Sequence, residues 1–244
     1  YSIDKHQRAL AELVVSLDLT RITVMVQDWG GPIGLRGPVD MPERYERLCI
    51  LNTWLHHKDY SYNAIIRGWN KLWQPFDIPG SRQHDSNFIR KITSAWVCLV
   101  FKFMLGRQPA GAMVYSAVHG GRGLSNTDST SYQAYQAPFP DEASKAGARR
   151  MPLSLPFYNP EDGNAAVQEY CYQALQNWTK PAHFIWGAND PSFPVKAMND
   201  WAEVMPNTTV HAIQGAGHFL QETHHQEIVD VLLEKIADEQ SKLY

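Results

Sequence analysis

Four short apolar runs, alternating with helical patterns, constrain the fold of this chain most strongly. They occupy residues 21–26, 48–52, 183–186 and 209–213. The first run is rich in β-branched residues and too apolar for a strand with one exposed face, so it predicts a central parallel strand buried on both faces. Strands that alternate with helices predict an α/β fold, with a mostly parallel sheet flanked by helices.

The stretch between the second and third runs breaks this alternation. It is rich in aromatic residues, helical in pattern and punctuated by Pro and Gly, and it is too long for a loop. We expect residues 56–156 to form a helical cap inserted after the second visible strand, over the carboxyl ends of the strands. Residues 1–55 and 157–244 then form the core. The most apolar run, 92–105, is too short for a membrane span and contains Lys102, so it predicts a buried or interfacial helix.

Charge and cysteine content narrow the classes of partner and compartment. The 22 Lys and Arg against 25 Asp and Glu give a net charge of −3, and the absence of a basic block disfavours nucleic acid and anionic membranes as partners. Cys49, Cys98 and Cys171 form neither a CxxC motif nor an evident disulfide framework. We therefore expect a reducing, cytoplasmic location, with the periplasm as the alternative because the true start may lie upstream.

The end of the first strand has the form of a nucleophile elbow. Residues 26–31 read Val-Gln-Asp-Trp-Gly-Gly, and small residues just after a nucleophile suit the sharp turn from strand to helix. Val26 stands where a typical elbow has glycine, so the pattern fits in part. The alternative is that Asp28 only caps the following helix.

Two further residues follow later strands in the order of a hydrolase triad. Asp190 comes after the third strand, and His218 lies in a small-residue turn after the fourth. Nucleophile, acid, histidine is the order found in α/β-hydrolases. Either residue taken alone is also a common turn former.

A carboxylate nucleophile predicts a particular chemistry. Asp28 is ionised near neutral pH and needs no base to remove a proton, which suits attack on saturated carbon. The resulting ester must be broken by water, for which His218 is the predicted base and Asp190 the group that orients and stabilises the imidazole.

Three segments resemble haloalkane dehalogenases: 26–35, 137–141 and 215–222. The resemblance covers nearly the whole chain, with a weaker stretch from about 76 to 128. It implies hydrolysis of a carbon–halogen bond to an alcohol, a halide ion and a proton, without cofactor or metal. It also implies the roles of nucleophile for Asp28, base for His218 and acid for Asp190.

The resemblance further implies how the halide and substrate are held. Trp29 and a second Trp from the cap would direct indole N–H groups at the halide; we assign the second to Trp69, with Trp73 as the competitor. Residues matching the family's apolar pocket are Pro32, Phe139, Pro140 and Phe193, although each also suits ordinary core packing. Asn52 stands where another branch of the family has its acid, which places this chain in the branch with the later acid.

One departure concerns the front of the fold. Family members have strands and a His-Gly loop upstream of the first helix, and the backbone N–H of that loop completes the oxyanion hole. These features are missing from the 244 residues, so we expect the chain to be part of a longer protein. The expected partners are a small apolar haloalkane, halide and water, and the expected state is a monomer or weak homo-oligomer.

Two other functions remain open from sequence. An epoxide hydrolase shares the Asp-Trp pair but needs phenol donors, and the cap region offers Tyr60, Tyr62, Tyr115, Tyr132 and Tyr135. The other is a non-catalytic α/β-hydrolase-like binding protein or a truncated remnant.

Overall fold

A computed structural model describes residues 1–73, 129–141, 143–157 and 162–241. The chain divides into two compact units. The sheet unit comprises Tyr1–Ser61 and Pro156–Tyr244, and the insert unit comprises Tyr62–Leu155.

The sheet unit is built on four parallel strands that lie in chain order. The strands are β1 Ile22–Asp28, β2 Tyr45–Thr53, β3 Ala182–Gly187 and β4 Thr208–Ile213. All four predicted runs therefore form strands, and the predicted parallel sheet flanked by helices is confirmed. β2 and β3 are almost wholly buried because each has a strand on both sides.

β1 differs from its prediction as a central strand buried on both faces. It pairs only with β2 among the described residues, so it is the outermost strand of this sheet. Thr23 and Met25 point to a face that is exposed, with Met25 48% accessible, whereas Val26 is buried. The apolar composition of the run thus predicted a strand correctly, and among the described residues this strand lies at the edge of the sheet.

Helices flank the sheet. In chain order the helices of the described residues are α1 Ile3–Ser16, α2 Gly30–Gly34, α3 Arg36–Asp40, α4 Ala64–Trp73, α5 Thr130–Gln136, α6 Ala146–Arg150, α7 Ala165–Leu175, α8 Val195–Val204, α9 Leu220–Thr223 and α10 His225–Ser241. Ser2 caps α1 by accepting a hydrogen bond from the Lys5 backbone N–H at 3.3 Å. Short 3-10 helices occupy Pro42–Arg44, Met151–Ser154 and Asp162–Asn164.

The two faces of the sheet are covered by different helices. Alternate residues of a strand face opposite sides, so Phe184 and Ile185 enter different cores. Ile185 packs with Ile228 and Val231 of α10. The Phe184 ring contacts the ring of Trp201 of α8, with centroids 5.6 Å apart. Each apolar face is therefore buried under a helix, as a doubly wound sheet requires.

The cysteines of the sheet unit are packing residues. Cys49 and Cys171 are free and buried, and burial raises the pKa of each thiol to about 12. Neither is therefore a reactive thiolate near neutral pH. Cys98 lies outside the described residues.

The insert unit is helical in its described parts, which contain α4, α5 and α6 and no strand. Asn70 on α4 donates a hydrogen bond to the Pro152 carbonyl at 2.7 Å, which joins α4 to the last turn of this unit. The predicted helix at 92–105 lies outside the described residues. No helix within the described ranges is long and apolar enough to cross a membrane.

A buried polar network ties α10 to the sheet. Arg47 of β2 donates to both carboxylate oxygens of Glu239 and, at 2.9 Å, to the Thr23 hydroxyl of β1. His183 of β3 contacts Glu239 Oε1 at 2.6 Å and the Thr209 hydroxyl at 2.8 Å. Burial lowers the pKa of His183, so the neutral ring donates from Nε2 to Glu239 and accepts from Thr209. One carboxylate thus connects α10 with β2 and β3 directly.

Removal of this carboxylate charge should destabilise the fold. Glu239→Gln leaves Arg47 buried without its charged partner, so we expect a loss of about 1–2 kcal/mol in the free energy of unfolding, measured by urea denaturation. Glu234→Gln on the same helix is the control, because Glu234 pairs with Lys235 at the surface. Equal effects of the two substitutions would contradict a structural role for the buried network.

Candidate active site

Asp28 occupies a strained turn between β1 and α2. Its φ is 51°, in the left-handed region that non-glycine residues seldom adopt. The hydroxyl of Thr53, at the end of β2, donates to the Asp28 carbonyl. The register between β1 and β2 also shifts between Val26 and Asp28. The neighbouring strand thus supports the turn, and the Asp28 side chain remains 31% accessible.

The glycines after Asp28 differ in how much room a side chain would have. A Cβ on Gly31 would collide with the Thr53 side chain and lie 2.8 Å from the Trp54 carbonyl, so the turn needs glycine there. A Cβ on Gly34 would lie 2.8 Å from Cγ1 of Val26, whereas one on Gly30 would make an ordinary 3.5 Å contact with Val26. The elbow therefore accommodates valine in place of its usual glycine because α2 has small residues opposite it.

His218 lies between two carboxylates. Its Nδ1 is 2.8 Å from Asp190 Oδ2, and its Nε2 is 3.4 Å from Asp28 Oδ1. The structure therefore brings together the three residues predicted from the order of the motifs. Burial lowers the pKa of His218, but hydrogen bonds to Asp190 and Asp28 and their charges outweigh it and raise the pKa to about 10.

Asp190 has donors on both oxygens. Its side chain is inaccessible to solvent. Oδ1 accepts from the Ser192 backbone N–H at 2.7 Å, and Oδ2 accepts from Asn52 Nδ2 at 2.9 Å as well as from His218. These donors suit an ionised carboxylate, and they fix its orientation towards the imidazole.

Asn52 links β2 to the loop that carries Asp190. It is fully buried, and its Nδ2 donates to the Gly187 carbonyl at 3.2 Å as well as to Asp190. Its Oδ1 accepts from the Gly187 N–H at 2.7 Å. The residue at the other branch's acid position thus donates to the carboxylate that is predicted as the acid, Asp190.

The histidine turn is fixed by a close approach of two loops. The Asn189 N–H donates to the Ala216 carbonyl at 2.8 Å, and Asn189 Oδ1 accepts from the Gly215 N–H at 3.2 Å. A Cβ on Gly187 would collide with the Gly217 carbonyl. Glycine at the end of β3 therefore allows the His218 turn to lie against the Asp190 loop.

Gln27 contacts His218 at two points. Its amide nitrogen lies 3.2 Å from His218 Nε2 and donates to the His218 carbonyl at 3.1 Å. Both contacts come from the residue directly before Asp28. Gln27 therefore faces the same ring nitrogen as the Asp28 carboxylate.

Aromatic rings line one side of this cluster. Trp29 meets Trp54 edge to face with centroids 4.9 Å apart, Trp54 stacks on Phe193 at 5.4 Å, and Phe193 contacts the His218 ring at 5.6 Å. Trp54 Nε1 is buried and has no hydrogen-bond partner in the described part of the chain. Phe193 thus lies beside His218, and its role in a substrate pocket stays a prediction.

Pro32 is buried on α2, and its carbonyl accepts a hydrogen bond from the Gln7 side chain at 2.7 Å.

Four residues predicted for the site belong to the insert unit. Trp69 and Trp73 lie on α4, and Phe139 and Pro140 follow α5. Trp69 is 37% accessible and Phe139 is half-buried. The halide-binding and pocket roles of these residues stay predictions. Within the described ranges, no three His, Cys, Asp or Glu side chains are grouped so that they could hold a metal ion.

Gln27, Thr53 and Trp54 have no role among the residues predicted from sequence, and Asn52 serves there only to identify the branch of the family. The parallel arrangement of the strands could have indicated that these residues lie near the site. Because β2 lies between β1 and β3, residues at its carboxyl end must lie beside Asp28 and the Asp190 loop. That placement could have marked residues 52–54 as neighbours of the site.

Comparisons with known proteins agree with this geometry. The family model described as alpha/beta hydrolase fold matches residues 126–225. A haloalkane dehalogenase of Psychrobacter cryohalolentis is 29% identical over 98% of this chain and 68% of its own length. A cis-3-alkyl-4-alkyloxetan-2-one decarboxylase of Shewanella oneidensis is 26% identical over 94% of this chain and 64% of its own length.

The solved structures show the same fold. The haloalkane dehalogenase DpaA of Paraglaciecola agarilytica, described as tetrameric, superposes with a TM-score of 0.71 at 23% identity, over 94% of this chain and 65% of that one. The chain therefore spans about two thirds of the length of these relatives. It has the α/β-hydrolase fold and is similar to haloalkane dehalogenases along nearly its whole length.

Proposed function

We propose that this protein is a haloalkane dehalogenase that works through a covalent aspartyl ester. The observation that carries the proposal is the position of His218, with Nε2 3.4 Å from the Asp28 carboxylate and Nδ1 bonded to Asp190. This arrangement presents a nucleophile on one side of the imidazole and an orienting carboxylate on the other. The similarity to haloalkane dehalogenases supports the same chemistry.

In the first half-reaction, Asp28 attacks the carbon that bears the halogen. A carboxylate oxygen forms a bond to this carbon while the carbon–halogen bond breaks and the halide leaves with its electron pair. The partly accessible Asp28 side chain suits this role. Indole N–H groups of Trp29 and Trp69 would stabilise the charge that grows on the halide, because an indole N–H is a donor only.

In the second half-reaction, His218 removes a proton from water, and the resulting hydroxide attacks the carbonyl carbon of the ester. The bond from that carbon to the alkyl oxygen breaks, which releases the alcohol and restores the Asp28 carboxylate. Esterification neutralises Asp28 and so removes one of the two groups that raise the pKa of His218. The chemistry of the first step therefore prepares the base for the second.

The insert unit is proposed as the cap over this site, with the cap spanning 56–156 and the core 1–55 and 157–244. Pro32, Phe139, Pro140 and Phe193 would then line an apolar pocket for a small haloalkane. We further propose a cytoplasmic protein that is a monomer or weak homo-oligomer. Light scattering on the purified protein measures the oligomeric state.

The comparisons favour this function over an epoxide hydrolase. The phenol of Tyr60 is also poorly suited to the role of acid in an epoxide hydrolase. Burial and the nearby Asp190 charge raise the pKa of its phenol, which weakens it as an acid for protonating an opening epoxide.

The Shewanella oneidensis relative suggests a second candidate function, attack on an oxetan-2-one. In this four-membered lactone, Asp28 would attack C4, and the ring carboxylate would take the place of the halide as leaving group. Loss of CO2 from the opened carboxylate would then expel Asp28 and form an alkene, with no water consumed. Alkene formation without halide release from haloalkanes would favour this candidate.

Removal of the nucleophile should abolish dehalogenation. We expect Asp28→Ala to lower halide release from 1-bromobutane and 1,2-dibromoethane by at least about 1,000-fold, because no other group can form the ester. Asp200→Asn is the control, since Asp200 pairs with Lys196 at the surface. Wild-type protein that releases no halide from a broad haloalkane panel would refute the proposed function.

Removal of the base should trap the intermediate. His218→Phe keeps a ring at this position but cannot accept a proton, so we expect each molecule to retain one alkyl group after incubation with 1-bromobutane. Intact mass spectrometry detects the adduct, and peptide mapping should locate it at Asp28. An adduct that also forms in the Asp28→Ala/His218→Phe double variant would contradict attack by Asp28.

The two half-reactions should differ in pH dependence. The halide burst involves no proton transfer, so we expect its rate to stay flat from about pH 6 to 9. Ester hydrolysis needs neutral His218, so its rate should rise with pH through a pKa below the value of about 10 in the free protein. Rapid-quench measurements separate the two rates, and a burst that follows the same profile as hydrolysis would contradict these roles.

A further inference from the structure

Gln27 contacts the histidine through a single amide nitrogen. This nitrogen has two N–H bonds, one for the His218 carbonyl at 3.1 Å and one for His218 Nε2 at 3.2 Å. The backbone carbonyl can only accept, so it determines which end of the amide faces the histidine. The ring nitrogen therefore faces a donor.

A donor at Nε2 distinguishes the two protonation states of the imidazole. Neutral His218 with its proton on Nδ1, facing Asp190, has a lone pair on Nε2 that accepts from Gln27. In the imidazolium, Nε2 carries a proton and the contact sets two donors against each other. Gln27 therefore favours the neutral ring.

The charged groups around the ring act in the opposite direction. Asp190 faces Nδ1 and Asp28 faces Nε2, and both favour the imidazolium. The other rings in contact with His218 belong to Phe193 and Phe219, which carry no charge. Tyr60 interacts electrostatically with Asp190, but its phenol is neutral near neutral pH because burial and Asp190 raise its pKa. Gln27 is thus a polar group at Nε2 whose effect opposes that of Asp28.

We propose that Gln27 is a positioning residue that opposes protonation of His218, so that the imidazole becomes the neutral base once Asp28 is esterified. The proposal deepens the proposed function and rests on it. When water takes over the Nε2 lone pair, Gln27 keeps its bond to the His218 carbonyl and remains in place. The contact with Gln27 therefore favours the neutral imidazole. When water binds, the Nε2 lone pair of His218 accepts from the water instead of from Gln27.

The test measures the protonation of His218 without any turnover. Asp28→Asn replaces the carboxylate with a neutral carbonyl group, as esterification does, and NMR titration of the imidazole then gives the pKa of His218. His218→Phe in the same background identifies the signal. We expect Gln27→Leu to raise this pKa by about half a unit to one unit, and Gln27→Glu to raise it further because a carboxylate attracts the imidazolium.

The direction in which the pKa of His218 changes distinguishes the proposed role of Gln27 from a purely structural one. If Gln27 only held the histidine turn, its loss would displace the ring from Asp190 and the pKa of His218 would fall. Gln221→Leu is the control, because Gln221 lies three residues beyond His218 and has a buried Oε1 without a partner in the described part of the chain. It should leave the pKa unchanged. If Gln27→Leu does not fold, Gln27→Met, which also lacks both the N–H donor and a charge, supplies the same comparison.

A kinetic measurement extends the test to the working enzyme. Gln27→Leu should shift the pH profile of ester hydrolysis to higher pH by the amount found by NMR and leave the halide burst unchanged. An unchanged or lowered pKa of His218 in the uncharged Gln27 variant would overturn the proposal. Absence of any halide burst from wild type would instead refute the dehalogenase function, since the NMR titration does not depend on activity.

Discussion

The active-site geometry depends on the parallel pairing of β1, β2 and β3. Parallel strands end at the same edge of a sheet, so the residues that follow them meet there although they are distant in the chain. Asp28 ends β1, Asn52 lies near the end of β2, and Asp190 follows β3. Hydrogen bonds across this edge, from Thr53 to the Asp28 carbonyl and from Asn52 to Asp190, then fix the spacing of the two carboxylates. His218, from the turn after β4, fits between them.

The two carboxylates and the proposed ester hydrolysis make opposite demands on the same histidine. While both are ionised, they favour a charged ring, whereas the chemistry of ester hydrolysis requires a neutral one. In the proposed mechanism, formation of the ester resolves the conflict because the substrate itself neutralises Asp28. Asp190 is buried and held by Asn52 and Ser192, so it would orient the ring in both states. The proposed role of Gln27 adds a small bias towards the neutral form at the nitrogen that must accept the proton.

Much of the fold and the triad geometry could be predicted from sequence because both depend on local signals. Apolar runs marked the four strands, and Asp28, Asp190 and His218 each directly follow a strand or lie in a glycine turn. The exposure of Met25 on β1 goes with the place of this strand at the edge of the described sheet, which composition alone does not indicate. The support from Asn52 and the contact from Gln27 depend on side-chain direction across strands. Only the register between strands determines such contacts.

The close packing between the Asp28 turn and the end of β2 means that a substitution in one segment changes which residues the other can accept. Gly31 has no room for a side chain against Thr53 and the Trp54 carbonyl, and Thr53 bonds to the carbonyl of the residue that would form the ester. Residues 52–54 are therefore a poor place to introduce diversity when substrate range is to be altered, even where a side chain there never meets substrate. Mutations at these positions should show strong epistasis with residues 28–34, and libraries that vary the two segments together should recover active sequences that separate libraries lose.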